Sequence, residues 1–395
     1  MAINIDTNIK KINQILTRGV EEIIDVDNLK KGLKSGKQLR VKLGIDPTSP
    51  NIHIGRAIPL FKLRDFQELG HKIILIIGDF TGVIGDTSDK ESERPMLSEK
   101  EVKKNLKTYI KQAEKIIDIK KCEVHYNSEW LGKLNYHEIS KQADVFSLNE
   151  FISRENIKKR LDAGKRISLR ELLYPLMQGY DSVAVRADVE IGGTDQRFNL
   201  LAGRKLQEYY GQSPQSIITN PLIEGIDSRK MSSSWGNTIN LFDSPNEMFG
   251  KIMSLKDGLI IKYFILTTRL EITRIEKYQE EMKSEKNPKD YKMGLAFEIV
   301  RFFHSEKEAK KAKDYFIKTF SNKEVPDEIT EVNPTDYSII TVLIEAGFAT
   351  SKSDAKRIIE QKGVKINKIV ANDTNVVLEK NDVVQKGKRF FVKVK

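Results

Sequence analysis

The first 225 residues repeat one arrangement that strongly constrains the fold: an apolar run leads directly into a short polar segment. Val41–Ile45, Ile73–Ile77 and Val183–Ile191 have the length and composition of buried strands. Amphipathic stretches, including Gly55–Leu69 and Ser98–Ile119, lie between them and predict helices. Because strands that alternate with helices favour parallel pairing, this pattern predicts an α/β fold with a doubly wound parallel sheet.

The polar segments that follow these strands are predicted to share one site. They are Asp46–His53, Gly78–Asp86 and Gly192–Gln196. The carboxyl ends of parallel strands lie at one edge of a sheet, and ligands bind there near the point where the strand order reverses. We therefore expect the three segments to converge on one crevice.

The segment that begins at Asp46 has the properties of a phosphate site. Pro47 favours a sharp turn after the strand, which puts His53 at or near the start of the next helix. Unpaired backbone N–H groups and the helix dipole favour phosphate there. Thr48 and His53 can donate to a transferring phosphoryl group, and Gly55 leaves room for a nucleotide base.

A second candidate phosphate site is the loop Arg229-Lys230-Met231-Ser232-Ser233-Ser234. A loop with a lysine and several hydroxyls suits the stabilisation of a triphosphate as charge develops in the transition state. Alone, such a string is better explained as a solvated basic loop. Its occurrence downstream of the Asp46 segment favours the phosphate interpretation of both.

A third set of polar residues is spaced for one face of a helix. Tyr174, Gln178 and Asp181 are four and three residues apart. Together they offer a phenol, an amide and a carboxylate. Such a set can bind an ammonium group and a second donor at once.

The rest of the chain predicts two further units. Residues 236–330 are predicted to be helical, with helices over Pro245–Leu255, Ile272–Met282 and Pro288–His304, and Asn322–Pro334 is predicted to be a linker. Residues 337–395 predict two helices and three short strands. The first helix is predicted over Ser338–Ala346 and is closed by Gly347. The second begins at a capping box, Ser351–Asp354, and ends at Gly363. The strands are predicted at Val364–Asn367, Val376–Leu378 and Phe390–Val394.

The C-terminal unit also carries a concentration of positive charge. From Asp336 to Lys395 there are twelve Lys or Arg residues against seven Asp or Glu. This predicts contact with an RNA backbone. The candidate RNA-binding residues are Lys352, Lys356, Arg357, Lys362 and Lys365.

The composition narrows the functional class. The net charge of +11 and the pI near 9.3 favour a polyanionic partner. The single cysteine, Cys122, is too few for a disulfide or a cysteine-rich metal site, and no metal-ligand cluster is evident. No apolar run approaches the roughly 20 residues that span a bilayer, and no secretory signal is evident. A cytoplasmic protein without a membrane partner is expected.

The two phosphate motifs, in this order, resemble the signature motifs of class I aminoacyl-tRNA synthetases. Three segments are similar to the tyrosyl branch of that family: Gly82–Asp86, Tyr174–Asp181 and Gly192–Gln196. Leu343–Lys368 resembles the S4 RNA-binding fold. The resemblance implies a nucleotide-binding catalytic domain over residues 1–235 with a dimer-contact insertion, a helical anticodon-arm domain over 236–330, and an S4-like α+β domain over 337–395.

The resemblance also implies a role for each motif residue. Thr48, His53 and Lys230 are the candidate catalytic residues. The candidate ATP contacts are Asp46, Gly55, Arg56, Asp195 (which would hold the ribose), Met231, Ser232 and Ser233. The candidate tyrosine contacts are Gly44, Asp86, Tyr174, Gln178, Asp181 (which would accept a hydrogen bond from the substrate phenol) and Gln196 (which would place the carboxylate).

The implied reaction joins L-tyrosine to the terminal adenosine of its tRNA at the expense of ATP. ATP would arrive with Mg²⁺, and no structural metal is expected. The implied partners are L-tyrosine, ATP, tRNA(Tyr) and a second copy of the chain. Asn127-Ser128-Glu129-Trp130 resembles a further family segment, in an insertion that often carries the dimer contact, but for Trp130 we predict a core position.

Three positions depart from the family pattern. Arg56 stands where the first motif usually ends in histidine, and Ser233 stands where the second usually has lysine. Lys42 replaces a second phenol-binding tyrosine, which fits a longer bacterial subgroup. The first two departures keep open an inactive RNA-binding regulator, and the shared fold keeps open a tryptophanyl-tRNA synthetase. A dinucleotide-dependent oxidoreductase is disfavoured, since no Gly-x-Gly-x-x-Gly segment opens a helix after the first strand.

Overall fold

The computed structural model describes residues 4–86, 96–284, 287–321, 330–387 and 390–395. These residues divide into two compact units. The larger comprises Met1–Ser244 and Lys251–Phe303, and the smaller comprises Pro245–Gly250 and His304–Lys395.

The larger unit is built on a sheet that has six strands in the described ranges, in the order β1-β6-β5-β2-β3-β4. Its strands are β1 Glu22–Ile24, β2 Arg40–Ile45, β3 Lys72–Ile77, β4 Glu123–Tyr126, β5 Val189–Gly193 and β6 Ser216–Asn220. All neighbours pair in parallel except β1, which runs antiparallel to β6. The predicted doubly wound parallel sheet is confirmed.

Helices surround this sheet. They are α1 Ile9–Thr17, α2 Val26–Lys34, α3 Ile54–Glu68, α4 Thr81–Ile84, α5 Glu99–Ala113, α6 Ser128–Leu131, α7 Tyr136–Asp144, α8 Leu148–Ile152, α9 Glu155–Asp162, α10 Leu169–Val185, α11 Arg197–Tyr209, α12 Pro245–Met253 (which extends into the smaller unit), α13 Ile260–Thr267, α14 Ile272–Lys283 and α15 Pro288–Phe303. The predicted helices that begin near Gly55, Pro245, Ile272 and Pro288 are therefore confirmed.

The strand order reverses between β2 and β5. The chain runs from β2 outward through β3 to β4, and β5 then returns to pair with the other edge of β2. The carboxyl ends of β2 and β5 consequently flank a crevice, which is where open α/β sheets bind ligands.

The predicted strand over Val183–Ile191 is wrong at its start. Val183 and Val185 belong to the last turn of α10, and β5 begins at Val189. Arg186 adopts a left-handed backbone conformation (φ 50°) that ends the helix, and the Ala187 N–H returns to the Ser182 carbonyl. The sequence contains two short apolar runs around this turn, and pattern alone merges them.

The helical segment after the second motif packs on helices that flank the six-stranded sheet. Phe302 and Phe303 of α15 contact Phe61 of α3 with ring centroids 5.1 and 6.2 Å apart. The Arg18 guanidinium also donates to the Thr268 carbonyl, 2.6 Å away, just beyond α13. The predicted domain boundary between residues 235 and 236 remains a prediction. The two compact units divide the chain at other positions.

The smaller unit has its own sheet and core. Its elements are α16 Glu306–Phe316, β7 Thr330–Val332, α17 Ile339–Glu345, α18 Lys352–Glu360, β8 Val364–Ile366, β9 Ile369–Val370, β10 Val383–Lys386 and β11 Phe390–Val394, with a π-helical turn at Ile317–Ser321. The described strands order as β7-β11-β10-β8-β9. Leu343, Ile359 and Val392 lie in the buried core between the helices and this sheet.

Three predictions about this unit need correction. Val376–Leu378 is not a strand, because Val377 makes only an isolated bridge to Ser338, and the prediction missed the strands β7, β9 and β10. Residues 322–329 of the predicted linker lie outside the described residues, and its continuation forms β7, parallel to β11. The predicted capping box is half formed, because Ser351 caps the Asp354 N–H while the Asp354 carboxylate bonds Thr350.

Candidate active site

The first motif connects β2 to α3 and ends in a buried histidine. His53 is the N-cap of α3, and its Nδ1 accepts the Arg56 backbone N–H at 3.3 Å. This bond leaves the ring proton on Nε2. Burial, together with the charges of Arg56 and Lys230, lowers the pKa of His53 to about 3. The histidine is therefore a neutral donor at neutral pH.

A hydrogen-bonded chain joins the first motif to the helix α10. The Asp46 carboxylate accepts from Tyr174 at 2.8 Å and from Thr81 at 2.7 Å. Gly78 is required beside it, because a Cβ there would lie 1.9 Å from Asp46 Oδ1. Asn127 Nδ2 then donates to the Thr81 hydroxyl at 2.9 Å. The predicted nucleotide and amino-acid residues thus form one connected network.

The predicted alignment of Tyr174, Gln178 and Asp181 on one face of α10 is borne out by their positions, since all three line the same cavity. Gln178 Oε1 accepts from Asn199 Nδ2 at 3.1 Å. Asn199 also donates to Gln196 Oε1 at 3.0 Å, and Gln196 Nε2 donates to Asp86 at 2.7 Å. These bonds fix both amide groups, and the sequence reasoning missed Asn199, which lies three residues after Gln196.

Asp181 lies deep in the cavity and is held by two donors. Trp130 Nε1 donates to its Oδ1 at 2.7 Å, and Asn127 Nδ2 donates to its Oδ2 at 3.3 Å. Burial raises the pKa of Asp181 to about 7, although Lys42 and the two donors oppose the rise. The predicted core packing of Trp130 is confirmed against Ile74 and its neighbours, but its hydrogen bond to Asp181 was missed.

A buried ion pair lies behind α10. Lys42 Nζ is 2.8 Å from Glu190 Oε1, and both side chains are essentially inaccessible to solvent. Lys42 also donates to the Gln178 carbonyl at 3.0 Å and to Ser182 at 2.8 Å. The residue that replaces the family's tyrosine therefore supports the backbone of α10.

The second motif forms a loop that approaches the first. Lys230 Nζ lies 3.0 Å from Asp195 Oδ2, and Met231 is buried. The Ser232 N–H donates to Asn237 at 2.8 Å, and a 3-10 turn over Ser233–Trp235 follows. The Ser233 and Ser49 hydroxyls are 3.4 Å apart. The two motifs meet over the carboxyl ends of the strands.

These segments line a cavity of about 270 Å³. Every predicted catalytic, nucleotide and amino-acid residue lies in its wall: Gly44, Asp46, Thr48, His53, Gly55, Arg56, Asp86, Tyr174, Gln178, Asp181, Asp195, Gln196, Lys230, Met231, Ser232 and Ser233. Unpredicted wall residues include Thr81 and Asn127. Gly55 fits tightly, since a Cβ there would lie 3.1 Å from His53 Nδ1.

The predicted RNA-binding residues belong to the smaller unit. Lys352, Lys356 and Arg357 lie on α18, and Lys362 and Lys365 follow it. All five side chains are exposed, and Arg357 pairs with Asp354 at 2.6 Å. Across the described ranges, no group of three or more histidine, cysteine or carboxylate residues is arranged to hold a metal ion. The helices described here also include none long and apolar enough to cross a membrane.

The fold and the two motif loops define a class I aminoacyl-tRNA synthetase. Residues 34–321 match the family model for tRNA synthetases class I (W and Y), and residues 339–384 match the S4 domain. The chain is 47% identical over 386 residues to the tyrosine–tRNA ligase of Thermotoga maritima, covering 96% of each. It is 46% identical to tyrosine–tRNA ligase 2 of Clostridium acetobutylicum, covering 99% of each. The chain therefore belongs to the tyrosine–tRNA ligase family.

Solved structures show the same fold. A tyrosyl-tRNA synthetase from Archaeoglobus fulgidus complexed with L-tyrosine matches with a TM-score of 0.63 at 24% identity, covering 78% of this chain and 100% of that one. A C-terminally truncated mitochondrial tyrosyl-tRNA synthetase from Aspergillus nidulans gives 0.64 at 21% identity, covering 77% and 92%.

Proposed function

We propose that the protein activates L-tyrosine with ATP and transfers the tyrosyl group to the 3′ adenosine of tRNA(Tyr). In the first step a tyrosine carboxylate oxygen bonds to the α-phosphorus. The bond from that phosphorus to the bridging oxygen breaks, and pyrophosphate leaves. In the second step an adenosine hydroxyl displaces AMP. The membership of the tyrosine–tRNA ligase family favours tyrosine over tryptophan and an enzyme over an inactive regulator.

The observation that carries the amino-acid assignment is the buried carboxylate of Asp181. Trp130 and Asn127 hold it by one donor to each oxygen, so it faces the cavity as an acceptor. A phenol hydroxyl satisfies that acceptor. A phenylalanine ring would displace water from the carboxylate without replacing that donor, which costs about 1–3 kcal/mol or more for a charged group.

At the opposite end of the site, Tyr174, Gln178 and Asp86 would surround the substrate ammonium. Asp86 already accepts from Gln196, and Gln196 would place the substrate carboxylate toward the α-phosphorus. Asp195 would hold the ribose, and Gly44, Gly55, Met231 and Ser232 would shape the nucleotide site. The chemistry then depends on positioning and on charge stabilisation, and no general base is required because the attacking carboxylate is already ionised.

His53, Thr48 and Lys230 would stabilise the departing pyrophosphate. His53 would donate from Nε2, because Nδ1 is occupied by the Arg56 N–H. Its low pKa keeps it neutral over the working range, so the ring would keep the same protonation state and the same Nε2–H donor as the pH falls into the mildly acidic range. Mg²⁺ would accompany ATP as part of the substrate.

The exposed basic residues of α18 and its flank would contact the tRNA backbone. These residues all carry an exposed positive charge on one small α+β unit. They are Lys352, Lys356, Arg357, Lys362 and Lys365. We further propose that the protein acts as a homodimer in the cytoplasm, as its family resemblance implies.

Single-turnover formation of tyrosyl-adenylate tests the catalytic assignment. His53→Ala should slow this step about 100-fold or more, the usual cost of a lost transition-state donor, while His53→Gln should retain part of the rate. His137→Ala is the matched control, because His137 is exposed on α7 and lies outside the cavity wall. An unchanged rate in His53→Ala, with the fold and ATP affinity intact, would refute the assignment.

A further inference from the structure

Arg56 has an unusual environment for a cavity-lining cation. Its Nη1 donates to the Tyr109 hydroxyl at 2.9 Å, and its Nη2 donates to Thr48 Oγ1 at 3.0 Å. Tyr109 belongs to α5 and is buried. In the part of the chain that the structure describes, Arg56 forms no ion pair with a carboxylate. Among the described residues, the guanidinium is therefore held in place by two hydroxyls and not by a carboxylate.

Within the described ranges, the two cations of the second motif are already paired. Lys230 lies 3.0 Å from Asp195. Arg229 is 2.5 Å from Asp227 and lies over the exposed ring of Trp235, with its guanidinium carbon 4.8 Å from the ring centroid. Arg56 is consequently the better placed charge for an additional anion.

Arg56 and Ser233 contact neighbouring residues of the first motif. Arg56 binds the hydroxyl of Thr48, and Ser233 contacts the hydroxyl of the adjacent Ser49. A cation at either position would therefore act on the same small volume beside Thr48 and Ser49. The Arg56 bond uses a lone pair of Thr48, so the Thr48 O–H proton is left to donate elsewhere.

We propose that the two departures from the family motifs are one charge exchange. Arg56 supplies, from the rigid start of α3, the cation for the ATP phosphates that the family pattern places on the second-motif loop at position 233. This inference rests on the proposed function. An arginine suits the task because its planar fork can bind Thr48, Tyr109 and a phosphate oxygen together.

The location of the charge has a kinetic consequence. A cation that Thr48 and Tyr109 hold on a helix is in place before ATP binds, so it stabilises bound ATP as well as the transition state. Interactions of that kind act mainly on KM rather than on kcat. Loss of Arg56 is therefore expected to raise the KM for ATP and to leave the KM for tyrosine unchanged.

A double-mutant cycle tests the exchange in the full-length protein. We would measure kcat/KM for ATP by tyrosine-dependent pyrophosphate exchange in the wild type, Arg56→His, Ser233→Lys and the double variant. Arg56→His should lower kcat/KM about 10-fold or more, the effect of losing a charged hydrogen bond. The double variant should recover to within about threefold of the wild type, because the charge returns at position 233.

Further variants separate charge from folding. Arg56→Lys keeps the charge without the planar fork and should retain more activity than Arg56→Gln, which keeps a polar side chain without the charge. If Arg56→His does not fold, Arg56→Gln takes its place in the cycle. Tyr109→Phe removes one anchor but keeps the charge, and a large loss in that variant alone would indicate a positioning role and overturn the exchange.

The failure of this inference differs from the failure of the proposed function. If the two effects on kcat/KM are additive and the double variant is as poor as Arg56→His, the charge exchange is overturned. Pyrophosphate exchange by the wild type would still support tyrosine activation in that case. If the wild type shows no exchange at all, equilibrium binding of ATP in the same four proteins replaces the assay. Recovery of ATP affinity in the double variant would support the charge exchange, and additivity would overturn it.

Discussion

Replacing Trp130 with phenylalanine should shift the pH dependence of tyrosine binding. The substitution keeps an aromatic ring against Ile74, Ile76, Val185 and Ala187, but it removes the N–H that donates to Asp181 at 2.7 Å. Asp181 would keep only the longer bond from Asn127. A hydrogen bond to a charged group contributes about 1.5–3 kcal/mol, and about 1.4 kcal/mol corresponds to one pH unit.

The direction of the shift follows from burial. Burial already raises the pKa of Asp181 to about 7, so about half of the carboxylate is ionised at neutral pH. Because the lost donor stabilised the ionised form, the pKa should rise by about a further one to two pH units. The ionised fraction at neutral pH would then fall to about one-tenth or less. The KM for tyrosine should rise accordingly and should recover at alkaline pH.

Pyrophosphate exchange over a range of pH measures this effect. The KM for tyrosine should move in Trp130→Phe while the KM for ATP stays constant. Val185→Ala is the matched control, because it disturbs the cluster under Trp130 without touching the hydrogen bond. A Trp130→Phe profile that superimposes on the wild type would refute the claim that this indole tunes the phenol acceptor.

Three further outcomes are expected. Asp181→Ala should abolish most discrimination between tyrosine and phenylalanine in pyrophosphate exchange, and retained discrimination would show that another group reads the phenol. Lys42→Met should destabilise the larger unit by about 3–5 kcal/mol because Glu190 is left buried without its partner, and in thermal unfolding the Lys42→Met/Glu190→Met pair should recover much of the loss. Replacing Lys352, Lys356 and Lys362 with glutamine should weaken tRNA binding and reduce the slope of log affinity against log salt by about 2–3, and an unchanged slope would place the tRNA elsewhere.

The sequence predicted which residues line the cavity, because the fold brings the strand ends together. Asp46 follows β2, Asp195 follows β5, and Asp86 follows the short helix after β3. Parallel pairing places the segments after these strands at one edge of the sheet. Helical spacing likewise put Tyr174, Gln178 and Asp181 on one face. These inferences need only the order of the elements and their local geometry.

The contacts that orient these residues could not be predicted in the same way. Trp130 and Asp181 are 51 positions apart, and Lys42 and Glu190 lie on neighbouring strands that are not consecutive in the chain. Such pairs depend on the position of one element against another. Local pattern also failed where Arg186 ends α10 between two apolar runs, because the backbone conformation of one residue decides the boundary there.

The central claim is that this protein activates tyrosine, and amino-acid-dependent ATP–pyrophosphate exchange tests it most directly. Tyrosine, tryptophan and phenylalanine would be supplied separately to the purified full-length protein. We predict exchange with tyrosine alone. Exchange with tryptophan would contradict this claim. No exchange from folded protein that still binds tRNA would also contradict it, and Arg56 and Ser233 would then indicate an inactive RNA-binding protein.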